Sequence, residues 1–169
     1  MVLKVPFKQD GSVLQIGDKE YTPVEAIVRS PSEHKLDGKA YDMEMQVMHK
    51  DSLGNTIGIA VLMEVTQTLP KEFYIENVFG HFFSNLPKMG RQRRIESMNL
   101  KWILSEKMLS HYVQYHGSLT HPPCSEGVEW FVLGKPWLIE KKWLDNYKQV
   151  LSDNARPVNA QNDRVLTSF

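Results

Sequence analysis

Cysteine is almost absent from this chain, neither sign of charge is in excess, and no long apolar run occurs. The single cysteine, Cys124, cannot form an intramolecular disulfide, so any metal chemistry must rest on His, Asp or Glu. Lysine plus arginine equal aspartate plus glutamate at 20 each, which leaves no long-range field to draw the chain to nucleic acid or to an anionic membrane surface. The longest apolar run, Ile57 to Val65, is broken by Gly58 and Glu64 and falls far short of the roughly 20 residues a spanning helix needs. The opening Met1-Val2-Leu3-Lys4-Val5-Pro6 lacks the apolar stretch of a signal peptide.

With 169 residues, 41% of them hydrophobic, the chain can bury one real core, and residues 1–169 read as a single domain. Its pattern is mainly β, with short runs separated by turn residues. Val13 to Ile16 and Thr22 to Arg29 read as strands around Gly17-Asp18-Lys19. Asp37-Gly38 marks a tight turn before a strand from Tyr41 to His49. There a period of two puts Tyr41, Met43, Met45 and Val47 on a core face and Asp42, Glu44 and Gln46 on a polar one. Ile57 to Val65 is apolar enough for a strand covered on both faces. Ile75, Val78, Phe79 and Phe82 fall on one stripe of a helix over 72–83, and Arg91-Gln92-Arg93-Arg94 reads as a solvated loop. Strands follow at 112–115 and 128–133. An amphipathic helix carries Trp143, Leu144, Tyr147 and Leu151, and the polar tail ends in a β-like segment.

Four segments in one order carry a family likeness. Ser32-Glu33-His34 with Asp37-Gly38 precedes the strand Glu44-Met45-Gln46-Val47-Met48-His49; Gly117-Ser118-Leu119-Thr120-His121-Pro122-Pro123 runs into Val128-Glu129-Trp130; and Asn154-Ala155-Arg156-Pro157 is followed by Arg164 and the closing Ser168-Phe169. Together they resemble the α-carbonic anhydrase family. The resemblance implies a large, twisted, mostly antiparallel sheet with peripheral helices and a conical cavity reaching its centre.

That family's chemistry uses three neutral imidazoles converging on Zn²⁺, with a bound water that ionises near neutral pH. Anchoring on Ser32-Glu33-His34, the resemblance assigns the ligand positions to Ile27, Arg29 and Gln46. Isoleucine has no lone pair, arginine stays protonated and glutamine offers only an amide oxygen. No histidine precedes His34, so another register supplies none. No metal and no other cofactor is expected, and the chain reads as a pseudoenzyme.

Much around that centre matches the family. The resemblance assigns Thr120 the place of the threonine that orients zinc-bound hydroxide, Glu33 that of the glutamate accepting its hydrogen bond, and Glu44 that of the carboxylate supporting a ligand histidine. Leu119, Val47 and Trp130 match walls of the carbon dioxide pocket, and His121 stands beside Thr120 at its floor. A buried Arg29 needs a counter-charge, with Glu44 the first candidate and Glu33 the second. His111, His116 and His121 recur every five residues, a step that aligns on neither a strand nor a helix, so they read as ordinary loop and surface histidines. Ser118 near them lacks the strained turn of an esterase nucleophile.

The expected function is that of a non-catalytic carbonic anhydrase-like protein, a structural subunit or protein-binding module of a larger complex. Anion or small-molecule binding at Arg29, or residual hydrolase or lyase activity, are the alternatives. The resemblance begins near Gly11, so the family's N-terminal segment has no counterpart. Val13 to Ile16 and its neighbours would then carry unpaired backbone groups, which implies a protein partner covering that side. Composition leaves the compartment open.

Overall fold

The computed structural model describes residues 3–7, 12–69, 83, 84, 86–88, 90, 91, 100, 104 and 106–169. Three long strands form the centre: β3 (Lys19–Arg29), β6 (Met43–Lys50) and β7 (Thr56–Thr66) pair antiparallel in sequence order. On one side β1 (Leu3–Pro6) runs antiparallel to the end of β3 and is outermost among the described residues, while β2 (Leu14–Ile16) forms a hairpin with the start of β3. On the other side β9 (Glu126–Leu133) and β10 (Trp137–Glu140) run parallel to successive halves of β7. Beyond β9 lie β8 (Tyr112–Ser118) and β11 (Thr167–Ser168), both antiparallel to their neighbours. The sheet is therefore mixed, with nine strands among the described residues. A two-stranded ribbon, β4 (Lys35–Leu36) and β5 (Lys39–Ala40), turns at Asp37-Gly38, where both residues have positive φ (50° and 77°), the geometry a two-residue hairpin requires. The ten-residue helix α2 (Lys141–Val150) follows β10, and one turn, α1 (Glu106–Leu109), precedes β8. Among the described residues no helix is long and apolar enough to cross a membrane.

Alternation along the central strands divides the interior into two layers. Ala26 and Val28, Met43, Met45 and Val47, Ile57, Ile59, Val61 and Met63, with Phe131 and Leu133, form the larger one. Helix α2 covers it through Trp143 and Tyr147, which are fully buried against Phe83 at ring separations of 6.5 and 6.4 Å. The opposite face holds Ile27, Met48, Ala60, Leu62, Val128, Trp130 and Val132. Trp130 lies flat over Gly58, where a β-carbon would come 2.5 Å from the indole ring, so the close approach requires glycine.

Several expectations change. The polar face of β6 is buried like its core face, with Glu44 and Gln46 both 0% exposed. Tyr41 precedes the strand and packs with the second layer rather than with Met43 and Met45. The segment after Pro136 begins with β10, which the sequence reading missed because four residues joined directly to a helix carry too short a period. Leu14 to Ile16 pairs on one side with Lys19 to Tyr21, and Leu3 to Pro6 pairs with Glu25 to Val28, so among the described residues β1 and β2 both lie along the outer side of β3. Ile75, Val78, Phe79 and Phe82, and Gln92, Arg93 and Arg94, lie outside the described residues.

Candidate functional site

On the second face, the ends of β3 and β6 bring a polar cluster together beside the Trp130 layer. Ile27 and Gln46 are register partners across these strands, and Arg29 stands opposite Glu44. All four are buried, Arg29 at 2% exposure.

Glu44 is the most heavily bonded member. Its Oε2 accepts the backbone N–H groups of Glu33 and His34, each at 2.8 Å, and its Oε1 accepts from His34 Nδ1 at 2.7 Å and from Gln46 Nε2 at 2.8 Å. His34 Nε2 meets the Tyr115 hydroxyl at 2.6 Å, and its ring lies 4.9 Å from the Trp130 ring. Burial pushes the His34 imidazole down, but the adjacent carboxylates, Glu44 above all, more than offset this and hold it above its ordinary value. Burial likewise raises the Glu44 carboxyl, and His34 with the surrounding donors brings it below the ordinary carboxylate value. While His34 holds its second proton the two form a buried ion pair.

A second strand of contacts runs from Thr120. Its hydroxyl donates to Gln46 Oε1 at 2.9 Å, and Gln46 Nε2 donates to Glu33 Oε2 at 2.8 Å, so the amide stands between threonine and glutamate. Arg29 lies with Nε 3.2 Å from Glu33 Oε1, both side chains at most 5% exposed, and its Nη2 donates a long 3.4 Å bond to Thr120 Oγ1. Nε makes no directed hydrogen bond, so this ion pair is held by charge more than by alignment. The C-terminal segment closes over the carboxylate: Arg156 N–H donates to Glu33 Oε1 at 2.8 Å, and Asn154 bonds Ser30 through both backbone and side chain.

A family model described as eukaryotic-type carbonic anhydrase matches residues 25–169. The chain belongs to that family. It is 29% identical over 158 residues to a carbonic anhydrase of Nostoc sp., covering 94% of this chain and 58% of that protein. It is 28% identical to the carbonic anhydrase-related protein of Homo sapiens, covering 80% of this chain and 55% of that one. The structure of the Photobacterium profundum alpha-carbonic anhydrase superposes with a TM-score of 0.84 at 26% identity, over 98% of this chain and 72% of that chain. The chain thus spans less than two thirds of the length of these curated relatives.

In this carbonic anhydrase-family chain, the positions assigned to zinc ligands do not fit a zinc ion. Ile27 has no donor atom, Arg29 is a cation paired with Glu33, and the one usable oxygen of Gln46 already accepts from Thr120. Among the described residues no group of three His, Cys, Asp or Glu side chains is placed to hold a metal. His111 bonds Ser110, and His121 Nε2 accepts from Lys4 Nζ at 3.0 Å. Burial, and then the Lys4 ammonium, hold His121 below its ordinary value. The Ser118 hydroxyl donates to the Leu119 carbonyl at 3.1 Å and meets no histidine among the described residues.

Of the anticipated residues, Glu33, Glu44, Gln46, Thr120 and Arg29 converge, and Leu119 and Trp130 join Ile27 in the adjoining layer. Val47 does not, and its expected place at the pocket wall is corrected: it belongs to the opposite layer, and Met48 occupies that side. The signal was present, since a period of two puts position 48, not 47, on the face of Gln46. Of the two carboxylates expected to answer Arg29, the first, Glu44, is taken by His34 and Gln46, and the second, Glu33, makes the pair. Tyr115 and Lys4 had no signal as site residues, and Arg156 stood only within the family-like segment Asn154 to Pro157; the pairing of distant segments brings all three in.

Proposed function

We propose that this chain is a carbonic anhydrase-like protein without carbon dioxide hydration activity, serving as a structural subunit or binding module of a larger assembly. The carrying observation is the Arg29 guanidinium set between Glu33 and Thr120, with Gln46 bonded to both Glu33 and Thr120, so the groups that would serve a metal serve one another. A protein present among the relatives under the name carbonic anhydrase-related supports the reading. Metal analysis of the purified chain should find zinc far below one equivalent, and a hydration assay should find no turnover sensitive to acetazolamide. Arg29→His alone should leave both results unchanged, because Ile27 and Gln46 still supply no imidazole. One zinc per chain would overturn the proposal.

A protein partner on the β1 side is the second part of the proposal. The outer edge of this four-residue strand meets no other strand among the described residues, and Val13 and Val24 nearby are 53% and 40% exposed. An added strand would satisfy that row of backbone groups. The 169-residue chain expressed alone should self-associate, and amides of Leu3 to Pro6 should exchange rapidly; a monomer with protected amides there would remove the case for a partner.

A further inference from the structure

We infer that Arg29 is a charge replacement for a metal hydroxide, and that its ion pair with Glu33 holds this centre together without metal. The inference rests on the reading that no zinc is bound. A zinc ion carrying hydroxide has one net positive charge, and so does a guanidinium. Two buried carboxylates, Glu33 and Glu44, face that charge at this centre. Glu44 is balanced by His34, its partner at 2.7 Å, which leaves Glu33 to be balanced by Arg29.

The bonding follows the same substitution. The Thr120 hydroxyl accepts from Arg29 Nη2 and donates to Gln46, whose amide passes the contact on to Glu33. Arg29 Nε lies beside Glu33 without aligning its N–H. A contact of charge without alignment should tolerate lysine better than an uncharged side chain of similar length. The other titratable groups near Arg29 and Glu33 are His34 on the same loop, Glu44 on β6, Tyr115 on β8, Tyr147 on α2 and His121.

The test is a double-mutant cycle on the 169-residue chain with Arg29→Met, Glu33→Gln and both, with Arg29→Lys alongside, followed by urea unfolding across about pH 6 to 9. Arg29→Met leaves a buried carboxylate without counter-charge, so folding should take up a proton. The folding equilibrium constant should then fall by up to about tenfold per pH unit more steeply than in the unsubstituted chain. Glu33→Gln should remove that added slope and recover part of the lost stability, and Arg29→Lys should stay closest to the starting chain. If Arg29→Met does not fold alone, folding of the double variant carries the same conclusion. Equal slopes in all variants, no recovery by Glu33→Gln, or failure of both Met variants to fold would overturn the inference. Zinc in the purified chain would instead end the functional reading on which it rests.

Discussion

Replacing Glu44 with alanine is expected to cost about 3–5 kcal/mol of folding stability, the scale for removing one partner of a buried ion pair. Four donors lose their acceptor at once: the backbone N–H groups of Glu33 and His34, the His34 ring and the Gln46 amide. Water has no ready access, since Glu44 is 0% exposed. The loss should depend on pH in a defined way. Glu44 has a folded pKa below its ordinary 4.5, so its contribution is present above that value and is lost as pH falls through the lower folded one. His34 has a folded pKa above its ordinary 6.5, so its contribution is full below 6.5 and fades as pH rises through the raised value. The gap between the unsubstituted chain and Glu44→Ala should therefore be widest between pH 4.5 and 6.5, narrowing on both sides. Urea midpoints across this range measure it, and a gap that widens steadily toward alkaline pH would contradict the pair's charge state.

Trp130→Ala should lose a comparable amount, about 3–5 kcal/mol, by a different route. The indole is 1% exposed and packs with Ile27, Met48, Ala60, Leu62, Val128 and Val132, and its Nε1 donates to the Ser118 carbonyl at 3.0 Å. Gly58, against which the ring packs so closely that a β-carbon would come 2.5 Å from it, has no side chain to fill the void. The His34 ring also loses its aromatic neighbour, so the polar cluster should loosen as well. A lower urea midpoint at unchanged slope would show a loss of packing within the same fold. Here the pH window of Glu44→Ala should not appear, which separates cavity formation from charge loss.

The central strands were legible because their signals are local. Continuous apolar composition identified β7 as covered on both faces, and Asp37-Gly38 identified the hairpin turn, where both residues carry positive φ. Alternation also placed Glu44 and Gln46 on a common face. The β1 pairing was not legible: four residues carry no period, and their partner is some twenty residues away. The same holds for Tyr115, which reaches His34 only because β8 pairs with β9 and sets Tyr115 opposite Trp130.

The sequence by itself determined the donor chemistry: without a histidine before His34, no folding could place imidazoles at positions 27 and 29, and Gln46 brings an amide to the third. It also determined that a cation would stand among carboxylates. Which carboxylate answers it was decided only by the tertiary structure. Glu44, the first candidate on sequence grounds, is claimed by the His34 ring and two backbone amides of the same loop, while the C-terminal segment holds Glu33 toward Arg29 through the Arg156 amide. Contacts of about 3 Å between segments more than a hundred residues apart depend on strand register and on the path of the tail, and neither is written in any local pattern.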